Sequence, residues 1–175
     1  MDLKCKIDKN YAFIDGQNLY LALKRLGWKL DYKRFRVYLS EKYRVEKAYI
    51  FMGFMPTNQE LYNFLQTVGF VLVFKPLLND GRGVVKGNCD AELVLQVMID
   101  YEDYWKALII TDDGDFYCLV KHLSNNDKLL RVLAPTLNNC SELLTKAAGN
   151  KVAFVADLKQ KLEYKRKEPH KDETL

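Results

Sequence analysis

Short apolar, β-prone segments alternate along this chain with segments whose apolar residues recur at helical spacing. No other feature constrains the fold as much. Segments 10–15, 47–54, 70–74, 106–111 and 128–134 read as strands, and segments 18–26, 32–43, 57–68, 91–101, 115–123 and 143–148 read as helices. Residues 152–162 read as a short extended piece followed by a helix. Parallel strands need crossover connections, usually helical, so the alternation predicts an α/β fold with a central, mainly parallel five-stranded sheet and helices on both faces. Val71-Leu72-Val73-Phe74 and Ala107-Leu108-Ile109-Ile110 show no polar alternation, which predicts central strands buried on both sides. Segment 91–101 is apolar nearly all round, which predicts a buried helix.

Local signals set the boundaries. Gly27 and Gly69 suit helix ends, and Asp31 suits the N-cap of the helix over 32–43. Thr57-Asn58-Gln59-Glu60 and Asn139-Cys140-Ser141-Glu142 both have capping-box spacing. Residues 79–88 form a polar, glycine-bearing loop. A chain of 175 residues is one domain, expected over 1–163, with residues 164–175 as a basic, disordered tail.

At 49% hydrophobic residues, the chain has enough apolar surface for a core, so wholesale disorder is excluded. No apolar run approaches the ~18 residues of a membrane span, and the first residues carry no secretory pattern. Cys5, Cys89, Cys118 and Cys140 are widely spaced, which argues against a zinc site or a disulfide framework. The expectation is a cytoplasmic protein with reduced thiols and no membrane partner.

In an open parallel sheet, ligands bind beyond the carboxyl ends of the strands. Two predicted strands end there in acids, at Asp15 and at Asp112-Asp113-Gly114-Asp115, and Asp90 opens the helix after the glycine-bearing loop. Carboxylates gathered in one pocket repel one another unless protonated, paired with a base or bound to a cation. An all-oxygen donor set suits Mg²⁺ or Mn²⁺ and points to metal-dependent phosphoryl transfer.

Phe13-Ile14-Asp15-Gly16-Gln17-Asn18, Lys86-Gly87-Asn88-Cys89-Asp90 and Thr111-Asp112-Asp113-Gly114-Asp115-Phe116 resemble, in order, the three signature segments of the NYN domain family within the PIN-like nuclease superfamily. The resemblance spans residues 10–162. It implies a Rossmann-like three-layer sandwich and RNA cleavage dependent on Mg²⁺ or Mn²⁺. The carried-over acids, both catalytic and metal-binding, are Asp15, Asp90, Asp113 and Asp115, with Asn18 positioning Asp15, the metal shell or the RNA. Relatives of this fold often form homodimers. Two positions depart from the family pattern: Thr111-Asp112-Asp113 replaces the usual Ser-Gly-Asp, and Gln96 stands where an acid is often found.

Each of these residues also has a purely structural role open to it. Asp15 suits a turn, Asn18 and Asp115 suit helix caps, and Asp90 suits a helix N-terminus, whereas Asp113 has no evident capping role. Asp112 reads as an exposed side chain, and no other acid lies one helical turn from Glu92. Arg82 and Lys86 lie in the loop expected to approach the site and are candidates for RNA phosphate contact. Lys75, Lys121 and His122 are weaker candidates, and most of the eleven tyrosines fit core packing better than base stacking.

The rival reading is an inactive RNA- or protein-binding module of the same fold. A haloacid dehalogenase-type phosphatase would need an acid where Gln17 stands, and a dinucleotide site would need glycines that the first turn lacks. The net charge of +4 comprises 27 basic and 23 acidic residues. With the four site acids neutralised by cations, the remaining surface is more strongly basic, which suits a polyanionic substrate.

Overall fold

The computed structural model of the protein describes residues 9–76, 78–79, 85–86 and 88–165, with the two short stretches described by their backbone only. Among the described residues, eight strands and seven α-helices follow one another as β1 (Asn10–Asp15), α1 (Gly16–Arg25), α2 (Tyr32–Tyr43), β2 (Val45–Gly53), α3 (Gln59–Val68), β3 (Val71–Lys75), β4 (Leu78–Asn79), β5 (Val85–Lys86), α4 (Asp90–Ile99), β6 (Ala107–Ile110), α5 (Tyr117–Asn125), β7 (Leu129–Ala134), α6 (Glu142–Ala148), β8 (Val152–Phe154) and α7 (Lys159–Leu162). The main sheet runs β3-β2-β1-β6-β7-β8, and every pairing in it is parallel.

Alternation along the strands splits the core in two. Ala12, Ile14, Ala48, Ile50, Leu108 and Ile110 face the layer built on α1, α2, α3 and α7. Their neighbours Tyr11, Phe13, Tyr49, Phe51, Ala107 and Ile109 face α4, α5 and α6. Each fully buried side chain of this kind is worth roughly 1.5–3 kcal/mol, so a register slip of one residue would exchange both cores at once.

Four expectations need correction. The sheet has six strands, not five, because Val152–Phe154 pairs with β7 as an edge strand. A three-residue strand is too short to show a period. Val71–Lys75 is the opposite edge strand rather than a central one, and Val71 is 42% exposed. Its apolar run instead serves Phe74, which packs on Phe54 and Tyr62. Within the polar loop, β4 and β5 form a two-residue antiparallel ladder. Helix α4 buries only Leu93 and Val97 among its apolar side chains, while Leu95, Met98 and Ile99 stay exposed.

Asp31 caps α2, accepting from Arg34 N–H at 3.0 Å, and Gly69 ends α3 with φ +100°. Neither capping box forms. Asn58 and Ser141 occupy the N-cap positions of α3 and α6 without a side-chain capping bond. A turn of 3-10 helix over Pro56–Asn58 precedes α3 and takes Thr57 out of the cap position. At the far end of the described chain, Tyr164 N–H bonds the Lys29 carbonyl at 2.8 Å.

Candidate metal centre at the switch between β1 and β6

From β1 the chain builds outward through β2 and β3, then returns to pair β6 on the other side of β1. The crossovers on either side of β1 therefore leave in opposite directions, which opens a crevice at the carboxyl ends of β1 and β6. Ile14 pairs with Ile110, so Asp15 and Thr111 leave the sheet side by side. The crevice, about 220 Å³, is lined by Asp15, Gln17, Asn18, Asn88, Asp90 and Asp113 together with apolar neighbours.

Asp15 caps α1 through Oδ1, which accepts from Asn18 N–H at 3.0 Å. Burial pushes its carboxyl up to about 6; the Asn18 bond opposes that shift, and the negative charges of Asp90 and Asp113 add to it. Thr111, fully buried, places its hydroxyl 3.5 Å from Asp15 Oδ2 and accepts from Asp113 N–H at 3.2 Å. This hydroxyl ties the acid at the end of β1 to the acidic run after β6. No role was expected for it, although a hydroxyl residue directly before an acidic run is the signal that identifies it.

Asp113 does have a capping role. It is the N-cap of the 3-10 turn Gly114–Phe116 and accepts from Asp115 N–H at 2.9 Å. Asp115 is therefore not the cap; it lies within the turn, exposed to solvent. Asp90 opens α4, where Asn88 makes both contacts, donating Nδ2 to Asp90 Oδ2 at 2.7 Å and accepting from Asp90 N–H at 2.8 Å. Burial raises the Asp90 carboxyl, with Asp113 and Asp115 adding to the shift and Asn88 and Lys75 opposing it. Lys75 donates to the Asn88 carbonyl at 2.7 Å and pairs with Glu92 at 3.2 Å. Lys75 and Glu92 thus brace the turn that presents Asp90.

Carboxylate oxygens of Asp90, Asp113 and Asp115 all lie within 4.8 Å of one another. Asp15 faces the same crevice but lies outside that trio. The donors are hard oxygens, and the Lys75 charge that reaches Asp90 is already shared with Glu92 and Asn88. Such a set fits a hard divalent cation. Burial pushes the thiol of Cys89 beside it up to about 11, which disfavours the thiolate.

Other candidates lie elsewhere. Asp112 is buried rather than exposed, and it bonds Asn18. Gln96 points away from the acids and donates to Asp100 Oδ1 at 3.1 Å, while Tyr49 holds Asp100 Oδ2 at 2.6 Å. Lys121 and His122 are exposed on α5. Arg82, the side chain of Lys86 and residues 166–175 lie outside the described residues.

The profile of the NYN domain matches residues 10–153. The chain belongs to the NYN domain family. A curated relative, the low amplitude and bright protein LabA of Synechococcus elongatus, is 29% identical to this NYN domain over 114 residues. That match covers 59% of this chain and 61% of LabA, so it spans about three fifths of the relative's length. A crystal structure of a protein of unknown function from Vibrio parahaemolyticus, VPA0982, superposes with a TM-score of 0.75 at 21% identity. It covers 94% of this chain and all of the other, and it carries the same fold. The family is one of PIN-like nucleases, and the acidic trio of this NYN domain stands at the end of its sheet. Among the described residues, no helix is long and apolar enough to cross a membrane.

Proposed function

We propose that this NYN domain is a ribonuclease, expected to cut RNA internally, that depends on Mg²⁺ or Mn²⁺. The observation that carries this reading is the convergence of the Asp90, Asp113 and Asp115 carboxylates within 4.8 Å, with Asp15 facing them. Asp90, Asp113 and Asp115 would hold the cation directly, and Asp15 would complete its surroundings. A bound divalent cation supplies Lewis-acid stabilisation of phosphodiester charge and acidifies water for attack.

The chain's own groups prepare that site. Burial pushes the Asp15 carboxyl up to about 6, and a cation held beside it would favour the ionised form, so cation affinity would fall with acidification. Asn88, fixed by Lys75, holds the Asp90 carboxylate in its outward orientation. Thr111 keeps Asp15 and Asp113 at a constant separation. Arg82 and Lys86, in the segment leading to Asp90, are assigned to RNA phosphates on their charge and chain position. The wide spacing of the four cysteines supports a cytoplasmic setting.

The test is RNA cleavage in Mn²⁺, in Mg²⁺ and in chelator, comparing the wild type with Asp90→Asn and Asp113→Asn. Cleavage that needs a cation and is lost in both variants is expected. Cleavage that persists in chelator, or in both variants, overturns the mechanism. RNA binding without cleavage in either metal overturns the enzyme and leaves a binding module.

A further inference from the structure

Helix α1 starts at the acidic crevice and runs away from it. Its inward face, Leu19, Ala22 and Leu23, is buried. Its outward stripe, Gln17, Tyr20, Leu21 and Lys24, recurs at helical spacing. Tyr20 is 56% exposed and Leu21 38% exposed. Gln17 and Leu21 line the acidic crevice and also an adjoining cavity of about 600 Å³, walled by Tyr20, Tyr32, Met55 and Tyr62. Tyr20 and Tyr32 line in turn a third cavity, about 430 Å³, which ends at Lys24, Trp28 and Lys29. Shared lining residues thus place the three cavities in series along α1, with Tyr20 between the second and the third.

The chemistry along the tract changes in order. Acids occupy the crevice. Among the described residues, the middle cavity is lined by no charged residue, and the outer one by two cations and no acid. Lys24 Nζ lies 5.9 Å from the Tyr20 ring centroid, so a cation and an aromatic face act together there. Tyr32 is pushed up to about 12 by burial, so its phenol stays neutral beside an anion.

A ligand that matches this order carries flat apolar groups strung on an anionic backbone. We infer that the α1 tract binds single-stranded RNA, with an unpaired base stacked on Tyr20 and flanking phosphates at Lys24 and Lys29. The inference rests on the ribonuclease reading only in that the tract leads into its site. A duplex keeps its bases stacked inside and offers nothing to the apolar cavities. An apolar peptide would leave Lys24 and Lys29 without a counter-charge.

The test is fluorescence anisotropy of a short labelled oligouridylate and of a duplex RNA of matched length, both in chelator so that nothing is cut. Stacking on an aromatic ring is worth about 1–3 kcal/mol per base. Tyr20→Ala is therefore expected to weaken single-strand binding roughly tenfold or more, while Tyr20→Phe retains it. Lys24→Ala is expected to flatten the salt dependence by about 0.7 in log–log slope. Tyr20 is largely exposed, so thermal melts of both variants should match the wild type. Single-strand binding unchanged by both Tyr20→Ala and Lys24→Ala overturns the proposal and leaves a peptide as occupant. Duplex bound as tightly as single strand also overturns it. Metal-dependent cleavage alongside Tyr20-independent binding refutes the tract and spares the nuclease. Tyr20-dependent binding with no cleavage in any metal supports the tract and refutes the nuclease.

Discussion

Asn18 and Asp112 are joined twice. Asn18 Nδ2 donates to Asp112 Oδ1 at 2.6 Å, and Asn18 Oδ1 accepts from the Asp112 backbone N–H at 3.2 Å. The pair spans 94 residues of sequence and fastens the start of α1 to the end of β6 across the crevice. The Asp112 carbonyl also accepts from Ser141 N–H at 3.1 Å, which extends the link to α6. Asn18 thus serves the site from behind, through Asp112 and through its own N–H to Asp15.

Asn18→Ala removes both side-chain bonds and strands a carboxylate that is only 8% exposed. A buried group left unsatisfied costs about 1–3 kcal/mol. Urea denaturation in chelator is expected to show a loss of that size with an unchanged m-value. A loss below about 0.5 kcal/mol, the level of an ordinary surface change, would show that the double bond contributes nothing.

Asp15 gives the pH dependence. Its folded pKa of about 6 lies above its ordinary 3.8. The protonated form therefore favours folding, and that contribution is complete below about pH 4 and lost as pH rises through 6. Asp15→Asn should make the metal-free protein more stable than the wild type at pH 7, by on the order of 1–3 kcal/mol. The advantage should vanish as pH falls towards 4. Denaturation across that range in chelator measures it, and an advantage that grows in acid would contradict the sign.

Divalent cations should raise the melting temperature at neutral pH, because a ligand at a hundred times its dissociation constant adds about 2.7 kcal/mol. The shift is expected to disappear in Asp90→Asn and Asp113→Asn. It should shrink at pH 5 in the wild type, where protons compete at Asp15. Calorimetric scans with Mn²⁺, Mg²⁺ and Ca²⁺ read all three effects.

Gly16 leaves no room for a side chain. A Cβ there would stand 2.8 Å from Ile50 Cγ2 and 2.9 Å from the Phe51 carbonyl. The second neighbour is backbone of a central strand and cannot swing aside. Gly16→Ala should cost about 1–3 kcal/mol, the usual range for overpacking a core, and should shift the adjoining Asp15 enough to weaken cation binding. Equal stability and equal cation affinity would show that β2 yields more readily than its burial implies.

Long, strongly patterned segments were legible in the sequence. The strand over Asn10–Asp15 was expected at its observed limits, as was the helix over Tyr32–Tyr43 with its Asp31 cap. The gathering of Asp15, Asp90 and the 112–115 run at one sheet edge was equally readable, because strand-helix alternation sends strand ends to one side. Short or context-dependent features were not. Val152–Phe154 becomes a strand only because β7 offers it an edge. Thr57 loses its capping role to a 3-10 turn, and Gln96 turns to Asp100 rather than to the site.

The sequence by itself determined the α/β class, through its periodicity, and the family, through the three segments that hold Asp15, Asp90 and Asp112-Asp113-Gly114-Asp115. Only the tertiary structure decided how those acids divide their work. Asp112, which reads as a surface residue, is a buried clasp for Asn18. Asp113 is both a cap and a member of the trio, and Asp15 faces that trio from across the crevice. Burial, hydrogen-bond partners and the separation of like charges set these roles. Each depends on which residues meet across the strand switch, and that pairing is not written in local spacing.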